Sequence, residues 1–181
     1  MLNKTNELII VKQQDFLIEE IWLLTFGGAF QHSGIYKPNT KEKDRMYFRN
    51  MLRGYVENII LSQYQTQVTD DKSHLENIQA ICNYTVNFKE VLKAPINIGI
   101  SQKLLNLALK YYWCLDLIAE PPHCPVDRII QQKIYKQPLV NWTQLNSSEI
   151  YLKIIQDIRD KAKVNQQSIA QWELANFDRR T

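Results

Sequence analysis

The chain has 181 residues, 45% of them apolar and 23% charged, and its net charge is +3. That balance belongs to one globular domain over 1–181 with a real core, and it permits a nucleic-acid partner without requiring one. Only five glycines and six prolines argue against a β-sandwich or barrel, which needs many tight turns.

The opening MLNKTNELIIVKQQ breaks its apolar run at Lys12, so it does not read as a secretory signal. Asn6 is placed to cap a helix over 7–26, with Phe16, Leu17, Glu20, Ile21 and Leu24 at helical spacing and Gly27-Gly28 as its end. Thr40 reads as the cap of a second helix over 41–65, with Phe48, Leu52, Tyr55, Ile59 and Ser62 on its inner line. Gly54 costs that helix about 1 kcal/mol relative to Ala, which suggests a close backbone approach.

Short helices follow over 73–83 (Leu75, Ile78, Ile81 and Cys82 inward) and 88–93. Ser101 then caps a central helix over 101–117 that is apolar almost all round and belongs in the middle of a bundle. Pro125 suits the first turn of a helix reaching Tyr135. Asn146-Ser-Ser-Glu149 resembles a capping box for a helix to Lys163, and a last helix starts near Gln167. The expectation is an all-α bundle of about eight helices around a buried central helix. No stretch approaches the roughly 18 uninterrupted apolar residues of a membrane span, so no membrane partner is expected.

Cys82, Cys114 and Cys124 are odd in number and irregularly spaced, which excludes a disulfide framework using all three and suits a reducing cytoplasm. His123-Cys124 with the other two thiols offers four soft ligands, but no CxxC or HxxxH pair accompanies them and both Cys82 and Cys114 fall on faces expected to be buried. Neither a metal nor a cofactor is expected. The basic row Lys41, Arg45, Arg49, Arg53 reads as a solvated flank of the second helix, with a phosphate-facing edge as the functional alternative.

Lys103, Asn106 and Lys110 form one narrow polar strip on the central helix. Their plain explanation is a first-turn lysine and a snorkelling one; that of Asp127 is an acid complementing a helix dipole. The functional alternative makes the strip one wall of a cleft bordered by Asp127. A helix over 103–117 is about 22 Å long, and the nine residues 118–126 span about 30 Å at most. Asp127 therefore reaches Lys103 only if that connector runs nearly straight back.

The order Gly99, Lys103, Asn106, Val126-Asp127 resembles the helix-hairpin-helix base-excision DNA glycosylases. These carry a glycine-containing hairpin, a lysine opening a helix, an asparagine three positions on, and an aspartate beginning the next helix. Ile60-Leu61-Ser62-Gln63, Thr69-Asp70, Glu149 to Ile158 and Gln171-Trp172-Glu173-Leu174 look similar to further parts of that family. The resemblance implies duplex DNA as partner and a flipped-out target base. It implies catalytic roles for Asp127 and Lys103, and nucleic-acid contacts from Gly99, Ser101, Gln102, Asn106 and Lys110. The stretch KLLNLALKYYWCLDLIAEPPHCPVD is also similar to a set of small, functionally uncharacterised bacterial helical proteins. The alternative function is accordingly a non-enzymatic interaction or accessory protein, for instance in phage defence, associating through its Trp and Tyr surface.

Overall fold

The computed structural model describes residues 4–177, with side chains from Ile9 onward. Among them are seven α-helices and no strand: α1 Lys4–Phe30, α2 Glu42–Tyr55, α3 Asp71–Tyr84, α4 Ile98–Cys114, α5 Arg128–Ile134, α6 Ser148–Val164 and α7 Ile169–Ala175. None of the described helices is long and apolar enough to cross a membrane. The short helix expected over 88–93 is absent. A 3-10 turn at Thr85–Phe88 takes its place, and the chain then pairs Leu92 with Tyr36 in a single antiparallel bridge.

Local capping sets most boundaries. Asp70, Asn97, Asp127, Ser147 and Ser168 each accept a backbone N–H in the first turn of α3, α4, α5, α6 and α7. Asn97, not Ser101, caps the central helix, so Gly99 lies inside its first turn. Pro125 lies in the connector before α5 and not in its first turn, and Asp127 is that helix's cap. Lys41, not Thr40, stands at the N-cap of α2 and makes no side-chain cap bond; the Thr40 hydroxyl donates to the Lys37 carbonyl instead.

One expected break and one expected line change for tertiary reasons. α1 runs through Gly27-Gly28 to Phe30. There Gly28 leaves room for Leu107, whose Cδ1 lies 2.7 Å from where a Cβ would stand, at the crossing with α4. After Tyr55 the second helix opens into one π turn, Val56–Ile60, and tightens into a 3-10 turn, Leu61–Tyr64. The π turn holds one residue more than an α turn. The buried line therefore passes from Phe48 and Leu52 to Val56, Ile60, Leu61 and Tyr64, leaving Ile59 and Ser62 outside. Nothing crowds Gly54, whose nearest neighbour is the Asn58 side chain at 3.9 Å. The close approaches are at Gly28 and Gly99.

Buried apolar residues from all seven α-helices join one core around α4, where Leu104, Leu105, Ala108 and Leu109 are fully enclosed.

Candidate functional site

Lys103 Nζ lies 2.8 Å from Asp127 Oδ2, with 11% and 21% of the two side chains exposed. α4 ends at Cys114 and not at 117, so the connector back to Asp127 is longer than expected and returns beside the helix with bends at 117–118 and 122–123. Gln102 receives the backbone of Val126 from both sides, accepting its N–H at 3.0 Å and donating to its carbonyl at 2.7 Å. Asn106 Nδ2 donates to the Cys124 carbonyl at 3.0 Å. These bonds sit on the face of α4 that points at 124–127, so the helix itself carries Asp127 to Lys103. The other Asp127 oxygen accepts the Ile130 N–H at 3.0 Å, and the Lys103 ammonium also rests 4.4 Å from the centroid of the Trp142 ring.

The pair borders two adjoining cavities. The wider, about 790 Å³, opens between the C-terminal end of α1, the start of α5 and the 138–143 connector, with His32, Arg128, Asn141 and Trp142 on its walls. That volume is within the range of small-molecule sites. The narrower, about 190 Å³, reaches toward Leu107, Tyr111, Glu173 and Phe177. His32 and Arg128 bring exposed cationic or polar ends to the wide mouth; reasoning from spacing alone missed both, because neither falls on a patterned face.

The remaining residues of the expected contact set are internal. A Cβ on Gly99 would stand 1.8 Å from the Trp142 carbonyl oxygen, and the Gly99 N–H already donates to Leu145 O at 2.9 Å. Its glycine serves helix-to-connector packing and leaves no open hairpin for a phosphate. Ser101, Gln102 and Asn106 are fully buried. Ser101 Oγ meets Cys82 Sγ at 3.1 Å, while Gln102 and Asn106 hold the connector. Lys110 is turned away from Asp127 to Glu173, 2.7 Å off, and lies over the Phe177 ring at 3.9 Å. The polar strip thus divides among three internal jobs, and of its members Lys103 alone borders the wider cavity.

Behind the site lies a buried polar cluster joining α3, α4, α6 and the Pro-rich connector. His123 Nε2 stands 3.2 Å from Asp71 Oδ1; since a carboxylate only accepts, that nitrogen donates and Nδ1 accepts from the Tyr151 hydroxyl at 2.8 Å. Tyr151 in turn accepts from Asn106 Nδ2 at 3.1 Å. On the far side the Tyr64 hydroxyl accepts from Asn77 Nδ2 at 3.0 Å and donates to His74 Nδ1 at 2.8 Å, while His74 Nε2 and Asn106 Oδ1 are buried without a hydrogen bond of their own. Burial pushes both histidines below the usual imidazole range, His74 further, and the Tyr151 phenol well above its own. The His123 hydrogen bond, assisted by Arg159, holds Asp71 below the ordinary carboxylate range. The cluster is a brace, enclosed on all sides except at Asp71.

The thiols are dispersed in kind: Cys124 is buried, Cys82 half-buried, and Cys114 exposed, where burial was expected. Among the described residues no group of three or more His, Cys, Asp or Glu could hold a metal ion. Of the basic row, Lys41 is exposed, while the three arginines are engaged within the chain: Arg45 lies over Tyr36, Arg49 pairs with Glu42, and Arg53 pairs with Glu57 at 3.0 Å and Glu19 at 2.6 Å. No family model, curated protein or solved structure matches the chain.

Proposed function

We propose that the chain is a DNA-binding protein of base-excision type whose reacting groups are Asp127 and Lys103. One observation carries the reading. The two residues to which the glycosylase resemblance assigns chemistry meet at 2.8 Å on the border of a cleft large enough for an extruded nucleotide.

In that chemistry the C1′–N bond of the sugar breaks, the base leaves with the bonding pair, and positive charge develops on the sugar. The Asp127 carboxylate is placed to stabilise that charge or to take a proton from an attacking water. Lys103, after passing a proton to Asp127, would supply an amine to C1′. Because Gly99 to Gln102 are sealed by the connector, phosphate contact falls to Arg128 and His32 at the mouth. The helix-hairpin-helix fold belongs to the same proposal, with the hairpin's grip reduced.

The test is binding to duplex DNA bearing an abasic analogue across a salt series, followed by base release. Expected is affinity that falls steeply with salt, and an Asp127→Asn variant that binds as the parent does but no longer releases base. Binding that is absent or indifferent to salt overturns the reading. Undiminished release by the variant removes Asp127 from the chemistry.

A further inference from the structure

α1 is apolar on two opposite sides. Toward the body it presents Ile18, Ile21, Trp22 and Thr25, the last three buried. Away from the body it presents three apolar pairs spaced by seven: Ile9-Ile10, Phe16-Leu17 and Leu23-Leu24. Their exposures run from 40% for Leu24 to 67% for Leu23. A seven-residue apolar repeat makes a continuous seam along one side of a helix and is the pattern by which helices recognise helices. Along the middle of this seam run Gln13, Glu20 and Gly27, also seven apart; the first two are exposed, and Gly27 has open space where a side chain would be.

The seam has a symmetry of its own. Reflected about the Phe16–Leu17 bond, Ile9 falls on Leu24, Ile10 on Leu23, and Gln13 on Glu20. Two such helices laid antiparallel would put apolar pair on apolar pair at both ends and phenylalanine on leucine at the centre. Each Gln13 amide would then donate to a Glu20 carboxylate of the other helix, with Lys12 beside it. A parallel arrangement would instead set Glu20 against Glu20, two like charges in an apolar seam. The charge pattern therefore selects one occupant and one direction.

We propose that the outward face of α1 is a self-association surface on which a second copy of this chain packs antiparallel, with its two-fold axis at Phe16–Leu17. Such a two-fold interface uses the same patch on both partners, which a self-complementary seam requires. It lies outside the wider cavity beside Lys103 and Asp127 and does not depend on the chemistry proposed there. Leu24 also lines the narrower cavity, so the partner's Ile9 would sit at the edge of that cavity.

Sedimentation velocity on the full chain over a concentration series tests this. Expected are a dimer for the parent and a monomer of unchanged helical content for Phe16→Glu, a substitution on the solvent side of each subunit. Gln13→Glu, which opposes two carboxylates, is expected to weaken dimerisation at least tenfold. Gln13→Glu combined with Glu20→Lys is expected to restore it. A monomeric parent at all concentrations overturns the proposal, whether or not it sediments with anionic vesicles or binds DNA. A dimer insensitive to Phe16→Glu, or a double variant that fails to recover, overturns the interface or its direction.

Discussion

Lys110 and Glu173 stand 2.7 Å apart with 9% and 4% of their side chains exposed, an ion pair closed between the last turns of α4 and the short α7. Burial raises the Glu173 carboxyl above its usual range even with the Lys110 ammonium beside it, so desolvation there outweighs attraction. Removing one partner leaves a buried charge alone. Lys110→Met is expected to cost about 3–5 kcal/mol, and Lys110→Met with Glu173→Leu much less than the sum of the single changes. Urea denaturation of the two single variants and the double variant measures the coupling; additive costs would show that the pair is not linked.

The two glycine neighbourhoods on α2 and α4 predict opposite signs. Gly99→Ala drives a methyl into the Trp142 carbonyl and is expected to lower stability by about 3 kcal/mol or more through displaced connector backbone. Gly54→Ala meets nothing nearer than 3.9 Å inside a helix and is expected to raise it by about 0.5–1 kcal/mol. Thermal melts of both variants suffice, and a stabilised Gly99→Ala would mean that the connector does not pack there.

At Asp127 the cap and the ion pair separate cleanly. Asn caps a helix about as well as Asp, so Asp127→Asn keeps the Ile130 bond and loses the charge opposite Lys103. Asp127→Ala loses both, and is expected to be less stable than Asp127→Asn by about 1 kcal/mol. Equal melting of the two variants would show that the Ile130 contact contributes nothing.

Acid sensitivity follows from His74 and His123. Both are held neutral below the ordinary value of 6.5, so the unfolded chain binds protons first as pH falls. Their contribution is present above pH 6.5 and is lost as pH drops from there toward the folded values, at up to about 1.4 kcal/mol per pH unit for each. Asp71, held below its ordinary 3.8, adds a loss of the same sign only below that pH. Denaturation of the parent and of His74→Gln between pH 7.5 and about 5 reads the difference in slope. Parallel curves would remove His74 from the acid response.

What the sequence made legible was local. The start of α6 within Asn146–Glu149 and the apolar circumference of 104–109 follow from capping and periodicity, which a short window contains, whereas the cap at Asp70 was not read from the sequence. The meeting of Lys103 with Asp127 was legible only as a question of chain reach, and the bonds from Gln102 and Asn106 that hold the connector there were not. The polar cluster left a trace that periodicity alone undervalues: His74 and Asn77 lie on the same line of α3 as Ile78 and Ile81, where solvated polar residues have no place. The roles of Gly99 and Lys110 were not legible, because Trp142 and Glu173 lie more than forty residues away. α1 misleads for a different reason. Two apolar faces blur its periodicity, and no local pattern says which of them meets the body.

The π turn at Val56–Ile60 means that the second helix carries one residue more than its core needs. Removing Asn58 would let the chain wind as uninterrupted α-helix while Ile60, Leu61 and Tyr64 keep facing inward, whereas removing a residue before Leu52 would rotate that whole set toward water. The segment is thus a splice point, where the length of the chain can change by one without rewriting the interior it supports.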